Sequence, residues 1–342
     1  MAMSSNTAIK TFSVGFKERQ YNELPYARII ADRFRTEHHE MIVEQESLDL
    51  LPKLVSAYDE PFADNSAIPT YLVSRFAREH VTVALSGDGG DEVFAGYSQY
   101  CRMAALNKLK FTNSNLFKHA FSFINGSLPD YMYGKGYSYY LSKDKNHLGA
   151  YYCIWRDYER YQMYNPDLRK LLTGRIAPEL YKINLLAEMN GEYLSKIQRL
   201  DVLTYLVDDI LTKVDRASML NSLEVRSPLL DHRLAELSFR MPSKLKLNGT
   251  VHKYILKKAM QPYLPQKIMN HPKQGFAIPL DYWFRDDLKD YAHDTLLNSL
   301  NLSDFLDMKG VRMILYNHQK GLRDYGDKIW ALIFLNEWLR QN

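Results

Sequence analysis

The feature that most constrains the fold of this chain is residues 81–97, an apolar run followed by glycines and acids. Residues 81–85 read VTVAL, and residues 86–97 read SGDGGDEVFAGY. An unbroken apolar and β-branched run predicts a short strand buried on both faces, as in a parallel sheet. Because ligands of open α/β sheets bind just beyond the carboxyl ends of the strands, the glycine-rich segment marks a predicted ligand site.

The residue types in this segment indicate the chemistry of the ligand. Glycines let backbone N–H groups approach an anion or a nucleotide closely. Carboxylates repel phosphate but hold Mg²⁺, which binds phosphates in turn. Asp88, Asp91 and Glu92 therefore indicate a metal–nucleotide site, and the local alternative is a glycine-rich turn whose acids cap the next helix.

The order of predicted elements favours an α/β fold. Alternating strands and helices in the first hundred residues predict βαβ units and a parallel sheet, and helical patterns dominate after residue 100. We therefore expect a nucleotide-binding α/β core in residues 1–100 and a mainly helical remainder in residues 101–342. The predicted strands are residues 10–16, 39–43 and 81–85, and the predicted helices are residues 24–34, 47–58 and 69–79.

Composition and charge argue against several classes of function. The chain has 44 basic and 40 acidic residues, a net charge of +4, which is too balanced to predict a nucleic-acid partner. Its two cysteines, Cys101 and Cys153, form no zinc motif and suit a reducing compartment. With no apolar run near the length of a membrane span and no signal-peptide pattern, we expect a cytoplasmic protein without a membrane partner.

A second informative stretch, LEVRSPLLD at residues 223–231, places an acid two positions before a base. In an extended backbone, Glu224 and Arg226 project to the same side. Arg226, held by Glu224, then has the chemistry to bind a carboxylate or a phosphate. The alternative is a surface ion pair worth less than about 1 kcal/mol.

Several motifs together resemble the synthetase half of the glutamine-hydrolysing asparagine synthetases. The resemblance extends over almost everything from Lys10 to Trp338, and the shared order and spacing of the motifs make it specific. The motifs are TFSVGF at 11–16, DEP at 59–61 with IPTY at 68–71, residues 86–97, LTKVDRASM at 211–219, residues 223–231, KYILK at 253–257 and KQGF at 273–276.

The resemblance implies a Rossmann-like parallel sheet of the ATP-pyrophosphatase type with large helical additions. It also implies two chemical steps that use ATP and Mg²⁺. The side-chain carboxylate of aspartate attacks the α-phosphorus of ATP, giving β-aspartyl-AMP and pyrophosphate. Ammonia from glutamine then displaces AMP to give asparagine. The implied partners are small molecules, and a homodimer stays open.

The resemblance assigns the nucleotide to five residues. It implies that Val14, Ser86 and Gly87 hold the adenine and ribose, mainly through backbone groups. Asp91 is the implied ligand of Mg²⁺. Lys253 is the implied lysine of the pyrophosphate, which stabilises the departing anion.

Four further residues are candidates for binding the substrate carboxylate, forming the adenylate or lining the region of the second substrate. Asp88 takes the position implicated in forming the acyl-adenylate, where several relatives carry Glu. Tyr97 and Glu224 line the region of the second substrate in related synthetases. Arg226 is the candidate for a substrate carboxylate.

Two features depart from the family pattern. The glutaminase domain of these enzymes begins with a cysteine that frees ammonia from glutamine, whereas the second residue here is Ala2, so we expect the glutaminase domain to be absent. The family's pyrophosphate loop, Ser-Gly-Gly-x-Asp-Ser, should precede the Thr11 strand, but only ten residues precede Thr11. We therefore expect a fragment, or a mis-started reading, of a synthetase with little or no turnover, whose strands 10–16 and 81–85 each lose a neighbouring strand.

Two other functions fit the same residues. A related ligase, such as a β-lactam synthetase or a peptide-cyclising enzyme, would adenylate another carboxylate, and the loops at 59–66 and 224–226 would distinguish it. A non-catalytic remnant that only binds nucleotide or dimerises is favoured by the missing loop. A P-loop kinase is not expected, because the chain has no GxxxxGK[ST] motif.

Overall fold

The computed structural model describes residues 1–108, 114–129, 131–144, 153–175, 177–271 and 275–342. Lys273 and Gln274, which belong to the KQGF motif, lie outside the described residues.

Strands and helices alternate in the amino-terminal part of the chain. The predicted strands at 10–16 and 39–43 and the predicted helix at 24–34 are confirmed, with the second strand starting two residues earlier. The elements are a 3₁₀ turn at Ala2–Ser4, β1 (Lys10–Phe16), α1 (Leu24–Phe34), β2 (Glu37–Val43), a 3₁₀ segment at Gln45–Leu50, α2 (Leu51–Tyr58), α3 (Ala67–Arg78), β3 (Val83–Leu85), α4 (Gly90–Phe94) and α5 (Ser98–Lys108).

The rest of the described chain is helical except for one short strand. A π-helix at Leu206–Leu211 runs directly into the helix that follows it. The elements are α6 (Asn115–Ser127), α7 (Lys135–Leu141), α8 (Asp157–Met163), α9 (Pro166–Leu171), α10 (Pro178–Glu188), α11 (Tyr193–Leu203), α12 (Thr212–Met219), β4 (Glu224–Arg226), a 3₁₀ turn at Pro228–Leu230, α13 (His232–Arg240), α14 (Ser243–Lys246), α15 (Tyr254–Met260), α16 (Gln266–Met269), α17 (Leu280–Trp283), α18 (Lys289–Leu297), α19 (Leu300–Ser303), α20 (Met308–Gln319) and α21 (Gly326–Gln341).

Local sequence explains the bounds of α1. Pro25 lies in its first turn, where the fixed φ of proline suits a helix and its missing N–H costs no hydrogen bond. At the other end Arg35 adopts a left-handed conformation with φ 50, and its N–H donates to the carbonyls of Ala31 and Asp32. The chain can then turn back into β2, which lies beside β1.

The strands form two separate parallel pairs. β1 pairs with β2 along its whole length, from Lys10 opposite Glu37 to Phe16 opposite Val43. β3 pairs with β4, and Val83 lies opposite Glu224. An α/β architecture with parallel strands is therefore confirmed. A single Rossmann-like sheet is not observed in the described residues, because β1 and β3 are not hydrogen-bonded to each other.

The prediction that residues 81–85 form a strand buried on both faces is wrong. β3 covers only Val83–Leu85, and Val83 and Leu85 are 43% and 48% exposed. An unbroken apolar run leads to burial only where other elements cover both faces of the strand. β3 has one neighbouring strand, β4, and its outer side chains face solvent.

The main hydrophobic core joins the two ends of the chain. Val14 and Phe16 of β1 belong to the same buried cluster as Trp330 and Phe334 of α21. In this last helix Ile329, Trp330 and Phe334 are fully buried. Among the described helices, none combines the length and apolar character that crossing a membrane requires.

Candidate functional site

The glycines of residues 86–97 have different structural roles. A Cβ atom at Gly89, which has φ +81, would lie 2.1 Å from Leu230 Cδ2, and one at Gly90 would lie 2.7 Å from Leu229 Cδ1. These two glycines are therefore required by close packing within the protein. A Cβ atom at Gly87 would meet no atom within 4 Å, so its backbone is open to a ligand.

An ion pair joins α4 to the start of α15. Lys253 Nζ lies 3.0 Å from Asp91 Oδ1, and both side chains are mostly buried. Gly96 makes room for this pair, since a Cβ atom there would lie 1.8 Å from Asp91 Oδ1 and 2.3 Å from Lys253 Cε. The sequence placed Asp91 and Lys253 in one site, and the structure brings them into contact.

Two non-glycine residues beside this ion pair have left-handed backbones. Ala95 has φ 56 and Lys253 itself has φ 52. Such conformations cost about 1–3 kcal/mol each and persist only where the surrounding structure imposes them. Ala95 is the residue that ends α4, and Arg35, which ends α1, has the same conformation, so this backbone geometry shapes the turn beside the pair without identifying its function.

Lys253 lines a cavity of about 1090 Å³ between β1, α1 and α15. Val14 lines the same cavity, together with Lys257 and Lys258 of α15. Among the described residues that line the cavity, Glu23 is the only acidic one. The volume is slightly above the range of about 300–1,000 Å³ that is usual for small-molecule sites. Its excess of ammonium groups suits an anionic ligand with an apolar portion.

Ser86, Gly87 and Asp88 lie at the carboxyl end of β3 and are not among the described residues that line this cavity. The backbone N–H of Ser86 donates to the carbonyl of Arg226, and its hydroxyl lies 3.0 Å from the hydroxyl of Ser227. Asp88 is half-buried. The structure therefore does not bring these residues together with Val14 in the cavity, and this end of the β3–β4 pair is a separate edge of the candidate site.

The Glu224–Arg226 pair forms as the extended backbone predicts. Arg226 Nε lies 2.7 Å from Glu224 Oε1, with the two side chains 66% and 53% exposed. In this geometry the contact is a surface ion pair, which contributes about 0–1 kcal/mol to stability. The guanidinium of Arg226 is accessible to a ligand from solvent.

Tyr97 faces inward rather than toward solvent. Its hydroxyl donates to the carboxylate of Glu92, which is 1% exposed. Burial, followed by the charge of Glu92, raises the pKa of Tyr97 far above its ordinary value. The phenol therefore stays protonated and holds Glu92 in place.

Two buried acid clusters near these segments were missed by the sequence reasoning. Tyr100 Oη donates to Asp201 Oδ2 at 2.6 Å, and burial raises the pKa of Asp201 to about 6. Lys213 Nζ lies 2.7 Å from Asp64 Oδ2. Burial and then the charge of Asp64 raise the pKa of Asp209 to about 8. Lys213 lies in the LTKVDRASM motif and Asp64 lies between the DEP and IPTY motifs, which is the only signal that could have indicated them.

Mg²⁺ is the metal that the resemblance implies, with Asp91 as its implied ligand. Among the described residues, no group of three or more His, Cys, Asp or Glu side chains is arranged to hold a metal ion. Nucleotide enzymes commonly bind Mg²⁺ through one or two carboxylates together with substrate phosphates and water. The Asp91 carboxylate, next to a lysine that lines the cavity, fits that mode.

Comparison with known proteins finds one family over nearly the whole chain. A sequence model of the asparagine synthase family matches residues 1–340. The chain is 30% identical over 99% of its length to a glutamine-hydrolyzing asparagine synthetase 1 of Bacillus subtilis (strain 168), covering 53% of that protein. It is also 30% identical over 99% of its length to a putative asparagine synthetase of Mycobacterium bovis, covering 51% of it. The chain thus spans about half the length of these relatives.

Proposed function

Because the chain belongs to the asparagine synthase family, we propose that it acts in the ATP-dependent conversion of aspartate to asparagine through β-aspartyl-AMP. The proposed architecture is that of an ATP-pyrophosphatase-type fold, with residues 1–100 binding the nucleotide and residues 101–342 forming the helical remainder. The observation that carries the proposal is the Asp91–Lys253 pair beside a lysine-rich cavity.

The nucleotide side of the reaction is assigned to residues around the cavity. The Lys253 ammonium stabilises the charge that develops on the departing pyrophosphate. Asp91 would hold Mg²⁺, which screens the charges of the triphosphate when it is bound. We assign the adenine and ribose to Val14, which lines the cavity, and to Ser86 and Gly87, which lie outside its lining at the carboxyl end of β3.

The carboxylate side of the reaction is assigned to the carboxyl ends of β3 and β4. We assign Asp88 to the adenylation step and Arg226 to the substrate carboxylate, with Glu224 orienting the guanidinium through its ion pair. Tyr97 supports this region through its hydrogen bond to Glu92. The proposed partners are the small molecules ATP, aspartate and ammonia, in the cytoplasm.

Nucleotide binding is the first test of this proposal. Calorimetric titration with ATP and Mg²⁺ is expected to show binding, weakened about tenfold or more in Asp91→Asn and Lys253→Met because each loses a charge-assisted contact. Lys244→Met is the matched control, since Lys244 is an exposed lysine of α14 that is not among the described residues lining the cavity. Absence of nucleotide binding by the wild-type chain contradicts the proposal.

Exchange of pyrophosphate into ATP identifies the acid that is adenylated. Exchange that depends on aspartate and disappears in Asp91→Ala supports the proposal and would show that the expectation of little or no turnover is wrong. Exchange driven by another carboxylate and not by aspartate would instead indicate a related ligase. Tight nucleotide binding with no adenylate for any acid would indicate a binding protein.

A further inference from the structure

The carboxylate of Asp91 lies on a helix that is too short to be stable without contacts from other parts of the protein. α4 has five residues, Gly90–Phe94, whereas isolated helices need about 12–15 residues to be even marginally stable in water. The carbonyl groups at a helix end have no partner within the helix. The position of Asp91 therefore depends on contacts that α4 receives from elsewhere.

Two buried side chains from two other helices supply those contacts. Gln198 of α11 donates from Nε2 to the carbonyl of Glu92 at 2.7 Å and to that of Val93 at 3.1 Å. Ser238 of α13 donates from Oγ to the same carbonyl of Val93 at 2.6 Å. Gln198 and Ser238 are both 0% exposed, so water does not compete for these carbonyls.

The ion pair tolerates little displacement of α4. The backbone of Gly96 donates its N–H to the carbonyl of Asp91 at 2.8 Å and also packs against the Asp91 carboxylate and the Lys253 side chain. Lys253 itself is fixed at the start of α15 with a left-handed backbone. A shift of α4 would therefore change the Asp91–Lys253 distance directly.

We infer that Gln198 and Ser238 are positioning residues for the Asp91–Lys253 pair. They act by donating hydrogen bonds to the carbonyl groups at the carboxyl end of α4 from two different helices, α11 and α13. In the described part of the chain, they make no hydrogen bond with the Asp91 carboxylate or the Lys253 ammonium. Their importance for turnover rests on the proposed function, but the geometric effect on the ion pair does not.

The test measures the ion pair without any substrate. The full chain, folded, is treated with an amine-acetylating reagent, and acetylation of Lys253 relative to Lys258 is quantified by peptide mass spectrometry. An ammonium held in an ion pair reacts slowly. Gln198→Met, which keeps the length of the side chain but removes its donor, and Ser238→Ala are each expected to raise the Lys253 ratio about fivefold, the factor that corresponds to the loss of one hydrogen bond.

A double-mutant comparison separates positioning from general loosening of the fold. In an Asp91→Asn background, where the ion pair is already lost, Gln198→Met is expected to produce no further rise. Ser138→Ala is the matched control, because Ser138 is a buried serine that donates to the Lys135 carbonyl at 2.8 Å on a different helix, α7. That variant is expected to leave the ratio unchanged.

The inference is overturned if folded Gln198→Met and Ser238→Ala both leave the Lys253 ratio unchanged, or if the rise is equally large in the Asp91→Asn background. Should Gln198→Met fail to fold, Ser238→Ala is compared with Ser238→Cys, which retains a weak donor and is expected to give a smaller rise. Pyrophosphate binding measured on the same proteins reports separately on the proposed function. A wild-type chain that binds none, but whose Lys253 responds as expected, contradicts only the proposed function.

Discussion

The Asp91–Lys253 pair leaves no space for a side chain at position 96, which is a glycine. Gly96→Ala is expected to break the pair, because its Cβ atom would come within 1.8 Å of Asp91 Oδ1 and 2.3 Å of Lys253 Cε. Overpacking of this kind costs about 1–3 kcal/mol. Urea denaturation is expected to show that loss in the free energy of unfolding, and calorimetry is expected to show weaker pyrophosphate binding.

The control for this substitution is Gly126→Ala in α6. A Cβ atom at Gly126 would meet no atom within 4 Å, and alanine is favoured over glycine within a helix by about 0.5–1 kcal/mol. A small gain in stability is therefore expected at this position. Equal losses at Gly96 and Gly126 would contradict the steric explanation for Gly96.

The buried carboxyl of Asp201 gives the fold a pH dependence of defined sign. Its pKa is about 6 in the folded chain against an ordinary 3.8, so the folded state binds the proton more tightly than the unfolded state. Its contribution to stability is fully present below about pH 3.8 and is lost as the pH rises through 6, by roughly 3 kcal/mol. In Asp201→Asn, which can still accept from Tyr100, urea titrations between pH 4 and 7 should lack this loss.

The pKa of Asp231 is shifted in the opposite direction to that of Asp201, so Asp231 serves as the comparison. Its hydrogen bond from the Arg233 side chain lowers its pKa to about 2. Asp231→Asn should therefore remove stability that is present above about pH 3.8 and is lost as the pH falls towards 2. The same pH trend in both variants would contradict the assignment to individual carboxyl groups.

At this scale, sequence could predict residues that lie in motifs but not the partners that packing gives them. Asp91 and Lys253 were assigned to one site by resemblance, and they lie in contact; their roles stay predictions. Glu92 was expected near a metal but is buried against Tyr97. The contacts of Lys213 with Asp64 and of Tyr100 with Asp201 join segments 149 and 101 positions apart, which local patterns do not specify.

At the scale of elements, helix α2 and strand β3 differ in how much they contribute to the stability of the fold. Leu54 of α2 is 0% exposed in the main core, whereas Leu85 of β3 is 48% exposed. Leu54→Ala is expected to lower the free energy of unfolding by about 2–5 kcal/mol, and Leu85→Ala by about 0.5 kcal/mol or less. Chemical denaturation measures both, and a large loss at Leu85 would mean that β3 is covered in solution.

Elements whose apolar spacing reflects burial could be predicted from sequence, and β3 shows where that reasoning fails. β1, α1 and β2 were found close to their predicted bounds because capping residues and alternation define them locally. The apolar run at 81–85 predicted burial, but burial depends on neighbouring elements that the local sequence does not reveal. The π-helix at Leu206–Leu211 was likewise not predicted, because one extra residue per turn leaves no clear periodic signal.

At the scale of the whole molecule, the shared core couples the first strand to the last helix. Trp330→Ala is expected to cost about 3–5 kcal/mol, since Trp330 is 0% exposed in a cluster that contains Val14 and Phe16. Hydrogen exchange of the β1 amides is expected to accelerate together with exchange in α21. Leu322→Ala, at a 49% exposed position, is the control with little expected effect, and unchanged β1 exchange in Trp330→Ala would mean that the two parts unfold separately.

The β3–β4 pairing also determines when this part of the fold can form during translation. The two strands are parallel neighbours, yet the Ser86 and Ser227 hydroxyls that follow them are 141 positions apart. At about 5–20 residues per second, a ribosome that has just made β3 needs on the order of ten seconds to make β4. Throughout that interval the glycine-rich loop lacks its backbone partner at Arg226, so a nascent chain acquires this edge of the candidate site only after the 141 residues that follow Ser86 have been translated.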